Sequence, residues 1–254
     1  MEFYIISVLS NKGGVSKTTS AINIAAYLAN KGKRVLLIDF DAQANSTLST
    51  IGTGNGHVGE WLVGEKSFSD VVVPYIDNLD VLPAARALDT YAKAIGSEND
   101  YQFLLKERIE EEKLDDSYNY IIIDNAPSLT TLAYTTFIAA THILLPSAPE
   151  EFAIAGIANV LQTVANVKKR YNPTLKVAGI FFSKYHPSYR SKIDNDMVFA
   201  TKDAYGDLVM ETTIRTNVSI KEALAFKKPV FEYAPDSQGS KDYEALVKEL
   251  IERL

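Results

Sequence analysis

Short apolar runs rich in β-branched residues alternate along this chain with longer stretches whose apolar positions recur every three or four residues. The first pattern predicts buried strands at 3–9, 34–39, 79–83, 120–124, 142–146, 177–182 and 207–213. The second predicts helices at about 17–31, 99–113, 128–140, 152–171, 192–205, 218–226 and 238–253. Tyr120-Ile121-Ile122-Ile123 carries no charge at all, as expected of a strand covered on both faces. Strands that alternate with helices specify an α/β fold, a mainly parallel twisted sheet with helices on both faces. Gly32 stands where the first helix should end, and Lys31 and Lys33 beside it suit the helix's negative pole. Gly52-Thr53-Gly54-Asn55-Gly56 and Pro235-Asp236-Ser237-Gln238-Gly239 read as loops, the second offering Asp236 or Ser237 as a helix N-cap. No repeat, low-complexity tract or linker interrupts the pattern, so residues 1–254 are expected to form a single domain.

Composition narrows the chemistry. With 254 residues, 46% of them hydrophobic, the chain can bury a large core. It has no cysteine, which excludes disulfides, thiolate zinc sites, iron–sulfur clusters and cysteine nucleophiles, and suits a cytoplasmic protein. No run of 18 or more apolar residues occurs, so no membrane-spanning helix is expected. The opening Met1-Glu2-Phe3-Tyr4-Ile5-Ile6 has no basic leader and reads as the beginning of a strand. Net charge is −6, yet residues 168–228 hold 12 Lys/Arg against 6 Asp/Glu, a balance of +6 that leaves −12 on the rest. Screening confines such a field to roughly 8–10 Å, so a basic face on an acidic protein can still hold phosphates. A set of solvated helix faces would give the same count.

Between the first strand and the first helix lies Lys12-Gly13-Gly14-Val15-Ser16-Lys17-Thr18-Thr19. Glycines let backbone N–H groups turn inward around phosphates, and the following helix N-terminus adds the positive end of its dipole. Lys17 is placed to reach the β/γ-phosphates and Thr18 to ligate Mg²⁺ through its hydroxyl. The ordinary pattern G-x-x-x-x-G-K-[ST] fails at Asn11 and Ser16. What fits is K-G-G-x-x-K-[ST], with an additional lysine at position 12. Six residues specified at roughly 1/15 frequency each would coincide by chance about once in 10⁷ windows, which leaves little room for a glycine turn with incidental lysines. In a doubly wound sheet ligands gather at the carboxyl ends of strands, so Asp39, Asp41 and Asp124, at or just beyond such ends, are expected to face this loop.

The two-lysine loop resembles the deviant Walker A box of ParA-type partition ATPases, in the ParA/MinD group of P-loop NTPases. Leu36-Leu37-Ile38-Asp39-Phe40-Asp41-Ala42-Gln43-Ala44-Asn45 is similar to the family's LLIDxDPQxN motif. Tyr120-Ile121-Ile122-Ile123-Asp124-Asn125-Ala126-Pro127-Ser128 resembles its Walker B region. Lys227-Lys228-Pro229-Val230-Phe231-Glu232-Tyr233-Ala234-Pro235-Asp236-Ser237 is similar to its G-K-P-V…Y-x-P-x-S tail. The resemblance implies an ATPase of weak intrinsic turnover that uses ATP and Mg²⁺. It assigns the nucleotide to the loop residues 12–19 with Pro235 and Asp236, and the chemistry to Lys12, Lys17 and Asp41. Asp41 would position the attacking water; Thr18 and Asp124 would hold Mg²⁺, Asp124 usually through water. Asp39 is expected to organise the loop and the metal shell. Lys12 has no obvious task in its own subunit, where Lys17 already serves the phosphates. The resemblance implies that it crosses to the nucleotide of a partner in an ATP-dependent homodimer, doing there what an arginine finger does elsewhere.

The chain departs from the family pattern at three places. Ser16 replaces a glycine, a strained position expected to cost on the order of 1 kcal/mol. Ala42 replaces the proline beside Asp41, and Thr213-Ile214-Arg215-Thr216-Asn217-Val218 stands where proline, arginine, asparagine is more usual. Other branches of the group fit less well. Iron-protein relatives need cysteines, a MinD-type protein needs a basic amphipathic C-terminal helix, and a bacterial tyrosine kinase needs a terminal tyrosine cluster. A phosphate loop beginning at residue 12 leaves no room for an N-terminal helix-turn-helix, so a small, Soj-like ParA is expected.

Such a protein binds DNA non-specifically as an ATP-bound dimer and is switched off by a ParB-like centromere-binding partner. Lys184, Arg190, Arg215, Lys221, Lys227 and Lys228 are the DNA candidates, with Lys168, Lys169, Arg170 and Lys192 in the same basic region. A cytoplasmic, nucleoid-associated location follows, with no membrane role. Two alternatives stay open: a ParA relative that positions a protein cargo through a cargo adaptor, and a metabolic P-loop ligase, which would not need Lys12. The acidic stretch 98–116 could dock a basic peptide, but a solvated helix face explains it as well.

Overall fold

The computed structural model describes residues 2–150 and 153–254. Its strands are β1 (Tyr4–Val8), β2 (Val35–Phe40), β3 (Val73–Ile76), β4 (Leu79–Leu82), β5 (Tyr120–Asn125), β6 (His142–Ser147), β7 (Lys176–Ser183) and β8 (Val209–Ile214). They form one sheet in the order β3-β4-β2-β5-β1-β6-β7-β8. Every pairing is parallel except β3 with β4. Among the described residues the helices of eight residues or more are α1 (Lys17–Asn30), α2 (Leu88–Ile95), α3 (Leu104–Glu111), α4 (Thr131–Ala139), α5 (Ala153–Arg170), α6 (Lys192–Tyr205), α7 (Val218–Ala225) and α8 (Gln238–Glu252).

The fold follows from strands that are apolar on both sides. In β5, Ile121 and Ile123 pack into one core with Phe137 and Val160, while Tyr120 and Ile122 pack into another with Ile22, Tyr243 and Leu246. Alternate residues of β2 divide the same way, Leu36 and Ile38 to one side, Val35 and Leu37 to the other. A parallel sheet needs this double cover, because each crossover lays a helix on a face. Gly32 ends α1 as expected: its φ is 76°, its N–H donates to the Ala29 carbonyl at 2.9 Å, and Lys33 N–H donates to the Leu28 carbonyl at 3.2 Å.

The periodicity reading needs several corrections. It missed β3, a four-residue edge strand of half-exposed residues with a proline in second place, which only an edge tolerates. β3 joins β4 through Asp77 and Asn78, with Asn78 in the left-handed region at φ 63°. It also missed α2 and the one-turn helices Asn45–Leu48, Val58–Leu62, Phe68–Val71, Leu114–Ser117 and Val230–Tyr233, which are too short to display a 3.6-residue period. The helix expected at 99–113 opens as a 3₁₀ turn at Tyr101–Phe103 before α3 begins. The helix expected from 128 begins at Thr131, where the Thr130 hydroxyl accepts the Ala133 N–H at 3.3 Å. Residues 207–208 belong to a 3₁₀ turn and not to the last strand, which instead runs on to Ile214. Phe152, the expected first residue of the fifth helix, lies outside the described residues.

Topology places the site. β1 lies between β5 and β6, and the chain leaves β1 toward β2 but leaves β5 toward β6, on the other side of β1. Neighbouring connections that part in opposite directions open a crevice at the carboxyl ends of β1 and β5. One wall of it depends on a close helix approach. A Cβ on Gly239 of α8 would lie 2.6 Å from Ile220 Cγ1 and 2.9 Å from Ile220 Cδ1 on α7. Gly239→Ala is therefore expected to destabilise the protein by about 1–3 kcal/mol through overpacking. The melting temperature should fall by roughly 2–4 °C per kcal/mol, and calorimetry showing an unchanged transition would contradict the close contact.

Candidate active site

The loop between β1 and α1 turns on two left-handed residues, Gly14 at φ 77° and Ser16 at φ 64°. The strain expected of Ser16 is therefore present. Ser16 is also the N-cap of α1, yet its side chain makes no capping hydrogen bond. The first-turn amides of α1 thus keep their donors for an anion. Space around Gly13 is open, with nothing within 4 Å of where a Cβ would stand. Lys17 is buried and turns back along the loop, its Nζ donating to the Lys12 carbonyl at 3.0 Å. Burial pulls its pKa down, and the nearby carboxylates Asp124 and Asp41 oppose that shift.

Three aspartates gather at the ends of β2 and β5, two of them, Asp41 and Asp124, near Lys17. Asp39 Oδ2 accepts both the Thr47 N–H and the Thr47 hydroxyl at 2.8 Å, while its Oδ1 accepts the Asp41 N–H at 3.1 Å. It organises the loop after β2, as expected. Asp41 Oδ1 accepts the Gln43 N–H at 2.9 Å. Asp124 is fully buried, with Oδ2 accepting the Ser46 hydroxyl at 2.8 Å. Burial raises the pKa of both Asp39 and Asp124; the Asp124 charge raises Asp39 further, to about 7, while Ser46, Thr18 and Lys17 pull Asp124 back. The Asp124 Oδ1 atom is buried without a hydrogen-bond partner. An orphaned carboxylate oxygen with the Thr18 hydroxyl nearby suits Mg²⁺, which uses one or two protein oxygens and keeps waters and substrate phosphates for the rest. Among the described residues no cluster of three or more His, Cys, Asp or Glu side chains is arranged for a metal.

The loop and Asp41 line a cleft of about 670 Å³ that includes Gly14, Lys17, Thr18, Lys184 and Arg215; Asp39 and Asp124 are buried behind it. Its far wall is tied to the phosphate-loop helix through α8. Arg215 makes a bidentate pair with the buried Asp242, Nε to Oδ2 and Nη2 to Oδ1, both at 2.8 Å. At the next position of α8, the Tyr243 hydroxyl is hydrogen-bonded to Ser20 Oγ of α1 at 3.1 Å.

The structure distributes the remaining candidates unevenly. Lys12 is exposed at the loop rim and forms an ion pair with Glu150. Pro235 and Asp236 are exposed before α8 and do not line the cleft. Of the basic residues expected on a DNA face, Lys184, Arg215 and Lys221 line the cleft. Lys228 pairs with Glu232 at 2.6 Å, and Arg190 and Lys227 are exposed. Sequence reasoning missed Ser46 and Thr47, which hold Asp124 and Asp39, although they directly follow the Asp41–Asn45 motif. It also missed Tyr243, whose link to Ser20 spans 223 residues.

Thr47 gives a test of the buried carboxylates, since its hydroxyl also accepts the Ala84 N–H at 2.9 Å. Asp39 holds its proton up to about pH 7 in the folded chain but only to about pH 4 when unfolded. Stability tied to this group therefore falls as pH rises across that window. Thr47→Val removes a donor to the carboxylate and orphans a buried N–H, for an expected loss of about 2 kcal/mol. The loss should be larger at pH 8 than at pH 5 in urea denaturation; equal losses would contradict the charged Asp39.

Comparison with known proteins adds to this geometry. A family model described as AAA domain matches residues 3–177. The chain is 36% identical to the chromosome-partitioning ATPase Soj of Treponema pallidum over 247 residues, 96% of each chain. It is 32% identical to the chromosome partitioning protein ParA of Caulobacter vibrioides, covering 98% of this chain and 94% of that one. Among solved structures it resembles cobyrinic acid a,c-diamide synthase from Mycobacterium smegmatis with a bound ATP analogue and magnesium. That likeness has a TM-score of 0.83 at 27% identity, covering 98% of this chain and 94% of the other.

Proposed function

Because the chain belongs to the Soj/ParA family of partitioning ATPases, we propose that it is an ATP-operated switch for plasmid or chromosome segregation, working as a dimer on DNA. It is an ATPase, converting ATP and water to ADP and phosphate, with Mg²⁺ as the accompanying ion. The observation that carries the reading is the division of labour within one loop: Lys17 is buried against the loop, Lys12 exposed at its rim. Lys17 serves the nucleotide of its own chain. Lys12 leaves Glu150 for the nucleotide of a second copy, where it stabilises negative charge on the phosphoryl group. Thr18 and Asp124 hold Mg²⁺, and Asp41 positions the attacking water. When bound, the ion neutralises phosphate charge and orients the terminal oxygens.

Residues 1–254 act as one ATPase domain on this reading, since a single sheet runs from Tyr4 to Ile214 and α8 packs against it. DNA is held without sequence preference by exposed cations outside the cleft, Arg190, Lys227 and Lys228, with Lys221 at its edge. Arg215 and Lys228 are each paired with an acid, Asp242 and Glu232, so either would exchange that partner for a phosphate on binding DNA. A ParB-like centromere-binding protein, or a cargo adaptor in a protein-positioning variant, triggers hydrolysis and release, and the protein collects on the nucleoid. No helix among the described residues is long and apolar enough to cross a membrane. The apolar side of α8 (Tyr243, Leu246, Val247, Leu250) is buried in the fold, so this face of the helix is not free to enter a membrane. The synthase likeness favours a second reading, a metabolic ligase, which would need neither dimerisation nor DNA.

Retention of the purified protein on non-specific DNA should require ATP, fail with ADP or no nucleotide, and weaken steeply with salt. Lys12→Ala should bind ATP within about twofold of wild type yet lose at least tenfold of its DNA-stimulated hydrolysis. Wild-type turnover in Lys12→Ala would sink the trans-acting lysine. ATP binding with neither dimerisation nor DNA retention would favour the ligase.

A further inference from the structure

We infer that Lys184 is a nucleotide-binding residue, a second lysine that reaches the phosphates of ATP bound to its own chain; this rests on the cleft being the ATP site proposed above. Lys184 directly follows β7, and its neighbours on both sides are anchored. Ser183 Oγ donates to the Val15 carbonyl of the phosphate loop at 3.0 Å and to the Ser147 carbonyl at 3.3 Å. The Tyr185 N–H donates to the Ile214 carbonyl at 3.2 Å, and its hydroxyl donates to Asn195 Oδ1 at 2.6 Å. Between these anchors Lys184 adopts φ 57°, a left-handed conformation that a lysine enters only at a cost. The turn brings Lys184 Nζ to 3.8 Å from the point a Cβ would occupy on Gly14. Lys113 and Lys227 are left-handed too; what sets Lys184 apart is the tie of its neighbour Ser183 to the phosphate loop.

The neighbouring charges point the same way. Arg215 is balanced by Asp242, and Lys12 is paired with Glu150. Among the described residues Lys17, Lys184 and Lys221 line the cleft without a salt bridge to an acid; Lys17 is buried and donates to the Lys12 carbonyl, and of the two exposed ones only Lys184 comes within 4 Å of the Gly14 position. Lys17 meanwhile sits near Asp41 and Asp124, so the inner end of the cleft is rich in carboxylate. A triphosphate arriving there needs positive charge on the open side of the loop, and Lys184 supplies it. Its exposure also suits a contact made only when nucleotide is present.

The test is calorimetric titration of the full chain and its Lys184→Met and Lys184→Arg variants with Mg-ATP and Mg-ADP, alongside DNA retention at saturating ATP. Lys184→Met should weaken ATP about tenfold and ADP less, as loss of one charge-assisted contact to the more highly charged ligand requires. Lys184→Arg should stay within about threefold of wild type, since it keeps the charge. DNA retention of both variants at nucleotide saturation should match wild type. Unchanged ATP affinity in folded Lys184→Met overturns the inference. Lost DNA retention with unchanged ATP affinity also overturns it and makes Lys184 a DNA contact. Should Met compromise folding, Lys184→Gln gives the same reading. A wild-type chain that binds no ATP would overturn the cleft assignment itself.

Discussion

Negative charge buried at the carboxyl ends of β2 and β5 is the constraint around which the rest of this molecule is arranged. Asp39 and Asp124 lie side by side in the register of two parallel strands, both removed from water. Two such carboxylates repel each other and lose hydration, so each must be met by donors or a cation. The chain meets Asp39 with Thr47 and the Asp41 N–H, and Asp124 with Ser46 and the nearby Lys17. One oxygen of Asp124 is left without a donor. That unmet carboxylate oxygen, beside Thr18, is where a divalent ion would supply the missing positive charge.

Lys17 answers the same constraint from the opposite direction. It is buried, its charge disfavoured by desolvation, and it is retained because the carboxylates and the Lys12 carbonyl compensate. The loop around it spends few of its own donors: Ser16 does not cap α1, and Gly13 faces open space. A site that leaves amides, a lysine and a carboxylate oxygen mutually unsatisfied is poised for a ligand carrying both phosphates and a metal. The two signs of charge are held apart by the backbone, and bound Mg-nucleotide would bring complementary charges to both.

The cleft is also mechanically joined. Consecutive residues of α8 grip its two sides, Asp242 holding Arg215 after β8 and Tyr243 holding Ser20 on α1. Ser183 adds a third tie, from the end of β7 to the Val15 carbonyl within the loop. A displacement of the phosphate loop would therefore be felt at the start of α7 and at the end of β7. Those are the segments that carry Lys221 and Lys184. Such ties join the phosphate loop to the segments that carry these two lysines.

Much of this was legible without coordinates. Strand and helix order, double-sided burial, the two-lysine loop and the aspartates at the strand ends all follow from local patterns, because periodicity and glycine spacing are properties of neighbouring residues. Even the strain at Ser16 was readable, since only the absence of a glycine had to be noticed. The edge strand β3 and the one-turn helices escaped because four residues cannot display a period. The fate of individual charges escaped for a different reason. Arg215 belongs to Asp242 across 27 residues, while Lys184 is turned toward Gly14 by contacts that reach back 168 residues from Ser183. Pro235 and Asp236 carry the family motif yet stand outside the cleft. The sequence alone determined that a phosphate loop and its acids meet at one end of a parallel sheet. Only the tertiary structure decided which lysines and arginines remain available there, because a charge is claimed by whatever the fold brings near it.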